Sequence, residues 1–89
     1  MALFKLGSVV ATPGALQFCE QHKINPLLLL GRHIEGDWGD LDAADTAANM
    51  HAVQHDQRIF SSYKFSQGKV WVITEADRSS TCILLPDEY

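Results

Sequence analysis

The feature that most constrains this chain is a change of apolar period at Gln57. Before it, apolar residues recur at three- and four-residue spacing, and after it they alternate. Residues 58–65 place Ile59, Tyr63 and Phe65 on one side of a strand, and Ser66-Gln67-Gly68 makes a turn. Residues 69–75, Lys-Val-Trp-Val-Ile-Thr-Glu, are β-branched and aromatic, as a buried strand requires. A polar loop, Ala76 to Ser80, leads to a last strand, Thr81 to Leu85, which Pro86 stops. Three strands with links this short form an antiparallel meander. The chain before Gln57 must then supply the layer that covers one face of it.

That first part opens on a predicted strand over residues 3–11. Phe4, Leu6 and Val9 or Val10 give it a buried side, and Gly7 marks a bulge or a close backbone approach. Two helix starts follow. Thr12-Pro13 and Asn25-Pro26 each pair a capping side chain with a proline whose missing N–H costs nothing in the first turn. The first helix runs to about His22 with Ala15, Phe18, Cys19 and His22 on one face, and the second ends near His33. Asp40 or Asp42 caps a third helix reaching about His55, with Leu41, Ala44, Ala48 and Ala52 as its apolar stripe. The expected fold is a single α+β domain over residues 1–89 in the order β-α-α-α-β-β-β. It has an antiparallel sheet of three or four strands and helices on one face.

Between the second and third helices lies Ile34-Glu35-Gly36-Asp37-Trp38-Gly39-Asp40-Leu41, an acidic turn with one large aromatic. Trp38 is expected to be buried against the sheet while the acids stay in water. At least one of Gly36 and Gly39 should have a positive φ, since so tight a turn needs a permissive residue. No Lys or Arg occurs between Arg32 and Arg58, a span that holds Glu35, Asp37, Asp40, Asp42, Asp45 and Asp56.

At 46% hydrophobic and 20% charged, the 89 residues can build one modest core. A net charge of −4 leaves no basic footprint for direct nucleic-acid binding. The run Leu27 to Leu30 is far too short to span a membrane. The start Met1-Ala2-Leu3-Phe4-Lys5 lacks the apolar core of a signal peptide. Cys19 and Cys82 do not make a secreted disulfide framework, so they are expected as free thiols in a reducing cytoplasm.

Four stretches together resemble a family: residues 6–16 (Leu-Gly-Ser-Val-Val-Ala-Thr-Pro-Gly-Ala-Leu), 36–41 (Gly-Asp-Trp-Gly-Asp-Leu), 73–81 (Ile-Thr-Glu-Ala-Asp-Arg-Ser-Ser-Thr) and the ending Leu84-Leu85-Pro86-Asp87-Glu88-Tyr89. The resemblance is to small, mostly uncharacterised bacterial proteins of plasmids and other mobile elements, some of them loosely labelled type I restriction-modification subunits. It implies a mobile-element context and transfers no catalytic residue. A methyltransferase would need a cofactor-binding βαβ unit with a glycine-rich turn, and nothing in this chain has that pattern.

Several constellations of polar side chains bear on chemistry. His51 and His55 share a helical face, but a zinc helix of the metalloprotease type also needs a Glu beside the first His. His33, Glu35, Asp37 and Asp40 offer cation ligands in an order that does not fit the calcium loop. Glu75 and Asp77, after the strongest strand, are where a metal-dependent hydrolase or nuclease would place carboxylates, with Lys69 on the same strand. The plainer reading of that loop has Arg78 paired with a carboxylate, including those of the acidic turn. Trp71 is expected in the core.

The preferred expectation is a non-catalytic, cytoplasmic protein-binding module with no metal and no cofactor. Glu35, Asp37, Trp38, Asp40, Asp42 and Asp45 would meet a basic protein surface, such as that of a host defence or DNA-processing protein. The alternative is a small metal-dependent hydrolase using Glu75 and Asp77. A homodimer through an unpaired edge strand is compatible with the small size.

Overall fold

A computed structural model describes residues 2–89. The elements are β1 (Ser8–Ala11), α1 (Pro13–Gln21), α2 (Pro26–Ile34), α3 (Ala43–His55), β2 (Ile59–Phe65), β3 (Gly68–Thr74), β4 (Ser80–Leu84) and a 3-10 turn (Pro86–Glu88). All three helix starts carry a side-chain cap. Thr12 Oγ1 accepts from Ala15 N at 3.0 Å, Asn25 Oδ1 from Leu27 N at 3.0 Å, and Asp42 Oδ1 from Asp45 N at 2.8 Å. Each cap satisfies a backbone donor that the helix itself cannot.

The sheet order is β1-β4-β3-β2. The β2-β3-β4 meander is antiparallel, as the short links require. The sheet as a whole is mixed, which corrects the expectation of an antiparallel one: β1 runs parallel to β4, with Val9 opposite Thr81 and Ala11 opposite Ile83. Three helices and two strands separate β1 from β4, so β1 can enter from either direction and nothing local fixes it.

One face of the sheet carries the helices. Tyr63, Val70, Val72 and Ile83 pack there against Ala15 and Cys19 of α1 and Leu29 and Leu30 of α2. Each large apolar side chain buried in this way contributes about 1.5–3 kcal/mol. A second cluster joins Trp38, Ala52 of α3 and Ile59, with Phe4, Leu41 and Val53 around it. On the opposite face Trp71 meets Phe60 and Tyr89 edge-on, so the C-terminal turn folds partly across the strands.

Two expected elements are corrected. The first strand is shorter than residues 3–11. Gly7, at φ 65°, lies so close under the carbonyls of Arg78 and Ser79 that a Cβ would overlap them, and the chain bends there. Phe4 and Leu6 do pack inward, but from the segment before the bend. Val9 and Val10 stay 47% and 51% exposed. The stripe of α3 is also rotated. Ala44 and Ala48 face outward, while Asn49 and Ala52 are buried and Val53 is half-buried. Alanine suits either face of a helix, so the face is set by what Asn49 can bond.

Candidate functional site

The acidic turn is laid along the outer edge of β2. Ser62 N donates to Trp38 O at 3.0 Å, and Asp40 N donates to Ser62 O at 2.7 Å. Lys64 N donates to Asp40 Oδ2 at 2.7 Å. One step along the strand, Asn49 of α3 continues the pairing. Its Nδ2 donates to Phe60 O at 2.6 Å, and its Oδ1 accepts from Phe60 N at 3.1 Å. A side-chain amide here imitates one residue of a neighbouring strand. Five outward backbone groups of β2 are thereby satisfied.

Gly36 and Gly39 have φ of 90° and 78°, as a turn this tight demands. At Gly39 the need is also spatial, because a Cβ would overlap the Ser62 carbonyl oxygen. Trp38 is 5% exposed, stacked on Phe4 at 6.2 Å and edge-on to His33 at 5.9 Å. Its indole anchors the turn to the core and gives a partner nothing to touch, which removes it from the expected contact residues.

The carboxylates divide by task. Asp37 accepts a bidentate pair from Arg32, 2.7 Å from Nε and 3.2 Å from Nη2. The Arg32 bond, aided by the Gly39 N–H, holds the Asp37 carboxyl below its usual range. Arg32 also lies over the Tyr63 ring at 4.5 Å, and Tyr63 Oη donates to Asp37 O at 2.8 Å. Burial pushes the Tyr63 phenol up to about 12. Arg32 sits just outside the stretch that lacks basic residues and folds back onto it. The acidic face is therefore smaller than the sequence implies. Asp40 and Asp42 bond backbone groups, and Glu35, Asp42 and Asp45 remain exposed.

His33 is not a partner of these acids. It is fully buried, and both ring nitrogens are engaged: Nδ1 lies 2.6 Å from Ser61 Oγ and Nε2 lies 2.9 Å from Thr74 Oγ1. Thr74 Oγ1 is 2.7 Å from Thr81 Oγ1, which donates to Leu6 O at 2.7 Å. That last bond orients the whole chain. Thr81 spends its only proton on Leu6, so it accepts from Thr74, and Thr74 in turn accepts from His33. The proton is therefore on Nε2, and Nδ1 accepts from Ser61. Desolvation lowers the His33 pKa to about 4, so the ring is neutral at pH 7.

The other constellations stay apart. His51 and His55 stack at 4.1 Å on an exposed face, and His51 Nδ1 lies 3.2 Å from Gln57 Oε1. Among the described residues no group of three His, Cys, Asp or Glu is disposed to hold a metal ion. Glu75 lies 3.5 Å from Arg58, and Asp77 accepts from Ser79 N at 2.9 Å. Lys69 sits across from Lys64 at the far end of the strand. Both cysteines are free, and burial pushes each thiol up.

Arg78 bonds backbone carbonyls in place of the expected carboxylate. It donates to Ala52 O at 2.9 Å, Gln57 O at 2.6 Å, and the carbonyls of Glu75 and Ala76 at 3.2 Å. It thus clamps the C-terminal end of α3, where a cation is favoured. Asn49, Arg78 and His33 were missed as a working set because each bonds a group distant in sequence. The one available signal was Ser61, a hydroxyl on the inward side of β2 between Ile59 and Tyr63, which demands a buried partner.

Among the described residues no helix is long and apolar enough to cross a membrane. The chain matches no family model, no curated protein and no solved structure.

Proposed function

We propose that this chain is a non-catalytic protein-binding module that presents an acidic face to a basic partner surface. The observation that carries the reading is how little of α3 the protein uses for itself. Of its thirteen residues only Asn49 and Ala52 are buried and Val53 is half-buried. The first two turns hold Ala43, Ala44, Asp45, Ala47 and Ala48 in solvent, just after the exposed Asp42. Small side chains allow a partner's backbone to approach closely, and carboxylates at a helix start steer a basic surface toward it. Glu35 extends the same charge into the turn. Asp37 and Asp40 shape the turn and contribute less. The resemblance to mobile-element proteins makes a basic host defence or DNA-processing protein the first partner class to test.

The hydrolase reading is not favoured by a specific contact, since Glu75 and Asp77 each bond a local group of their own.

The test compares the wild type with a Glu35→Gln, Asp42→Asn, Asp45→Asn variant. Asparagine at 42 keeps the helix cap, so the fold should be intact. Each tagged chain is used to capture proteins from a bacterial host lysate at low and high salt. The expected result is a basic protein recovered by the wild type at low salt, and lost with the variant and at high salt. Equal recovery by both chains, or recovery that ignores salt, overturns the proposal.

A further inference from the structure

The C-terminal end of α3 carries two exposed imidazoles. His51 and His55 lie one helical turn apart on the same face. Their rings stack with centroids 4.1 Å apart and planes 24° from parallel. The chain that follows holds one of them in a set orientation. Asp56 takes a left-handed conformation, φ 51° and ψ 53°, and its N–H donates to Ala52 O. Gln57 N donates to the same carbonyl at 3.1 Å, and Arg78 donates to the Gln57 carbonyl at 2.6 Å. The backbone of Gln57 is thus fixed, and its side chain comes back to His51, where Oε1 lies 3.2 Å from Nδ1. An amide oxygen only accepts, so His51 Nδ1 carries the proton and Nε2 of the neutral ring keeps its lone pair. A histidine that ligates a metal commonly donates its other ring N–H to just such an oxygen.

We propose that His51 and His55 chelate one divalent transition-metal ion, Cu²⁺ by preference, with Gln57 as the group that positions His51. Two imidazole nitrogens bound at about 2.0–2.1 Å, at a right angle on one ion, stand about 3 Å apart. Nearly parallel rings with centroids 4.1 Å apart reach that spacing by tilting at one edge.

The number of ligands decides which ion is served. Among the described residues no third His, Cys, Asp or Glu joins the pair to make a metal-holding group. A structural Zn²⁺ site takes four protein ligands in a tetrahedron, and two leave it half built. Cu²⁺ takes two adjacent nitrogens in a square plane, and it stands above Ni²⁺ and Zn²⁺ in the order of divalent affinities. Mg²⁺ and Ca²⁺ prefer oxygen ligands. Charge at this end of the helix is mixed: Asp56 follows His55, and Arg78 bonds the carbonyls of Ala52 and Gln57. The imidazoles, rather than a net field, therefore select the ion. The pair lies at the opposite end of α3 from Asp42 and Asp45, so it does not depend on the proposed acidic contact face, and its test needs no partner.

The test is a titration of CuCl₂ into the full chain, followed by calorimetry and electron paramagnetic resonance. The wild type should bind one Cu²⁺ per chain at concentrations on the order of tens of µM, with a spectrum showing two coordinated nitrogens. Ni²⁺ should bind more weakly. His51→Gln and His55→Gln lie at exposed positions and keep a good helix former, so circular dichroism should not change. Each leaves a single imidazole without a chelate partner and should weaken binding by at least about tenfold. Gln57→Leu keeps both ligands but frees the His51 ring, and a loss of about tenfold is expected. His22→Gln, on α1, should bind as the wild type does. Acidifying to about pH 5 should release the ion, because protons compete for the ligating nitrogens. A wild type that takes up no Cu²⁺ in this range, or His51→Gln and His55→Gln chains that bind it as tightly as the wild type, overturns the inference.

Discussion

The two edges of this sheet have the same problem and opposite solutions. At β2, residues Phe60, Ser62 and Lys64 turn backbone groups outward, and Asn49, the Trp38–Asp40 turn and the Asp40 carboxylate meet them. At β1, Val9 and Ala11 turn the same groups outward, and among the described residues no hydrogen bond meets them. An open edge is a template for another strand, and proteins commonly blunt it with charge or cover it. Here the cover is spent on β2, while at β1 the Glu88 carboxylate reaches only Thr12, just past the strand. The acidic turn is first of all a piece of edge protection, and its surplus charge is what a partner could read. The comparison also shows that exposure alone does not identify an interface: the edge beside the acidic turn is closed, and the edge beside the half-exposed Val9 and Val10 is not.

The sharpest way to break the closed edge is to remove its anchor. Trp38→Ala deletes a side chain 5% exposed and should cost about 3–5 kcal/mol, read as a lower urea midpoint. Ser62, bonded to the Trp38 carbonyl, should then exchange its amide hydrogen faster. An unchanged midpoint would show that the turn holds the edge without its indole.

The next largest effect comes from His33, whose bonds run from Ser61 in β2 to Leu6, just before β1. The folded ring titrates at about 4, against 6.5 for the free imidazole. Between those values the unfolded chain binds the extra proton, so stability is full above pH 6.5 and falls as the pH drops toward 4. The total is about 3 kcal/mol. His33→Gln should be less stable at pH 7 yet lose less between pH 7 and 4.5. Equal losses in the two proteins would mean that His33 is protonated in the folded state.

Asn49→Ala comes third. It strips two bonds from Phe60, but at an edge that water can reach, so about 1–3 kcal/mol is expected. The Phe60 amide should gain exchange rate while Val9 and Ala11 keep theirs. If all three speed up together, the two edges are not independent.

Much of this was legible in the sequence, and what was not has a physical reason. Thr12-Pro13, Asn25-Pro26 and Asp42 start helices where local chemistry says they should, because a cap involves residues two or three apart. The alternation of the last three strands is equally local, and the burial of Trp38 followed from its size. The parallel entry of β1 was not legible, since it depends on where the chain returns after three helices. The face of α3 was misread because alanines carry no preference and the deciding residue, Asn49, bonds Phe60 eleven positions later. Arg32 was counted outside the acidic span because sequence distance hid its contact with Asp37. Each miss is a contact whose partner the local pattern does not name.

The smallest predicted effect concerns Asp40, which separates the two roles of the acidic turn. Its Oδ2 receives Lys64 N at 2.7 Å in an exposed position. Asp40→Asn removes the charge but keeps a carbonyl oxygen in the same place, so the Lys64 amide should remain protected. Asp40→Ala removes the acceptor, and water takes over the N–H, so the cost should stay under about 1 kcal/mol. The Lys64 amide should then exchange faster in Asp40→Ala alone. If Asp40→Asn exposes that amide as much as Asp40→Ala does, charge rather than geometry holds the turn to the edge. The acids would then be structural first, with less left for a partner. If neither variant changes the exchange, the Asp40 side chain is not what closes this end of β2, and the backbone pairing at Ser62 does so unaided.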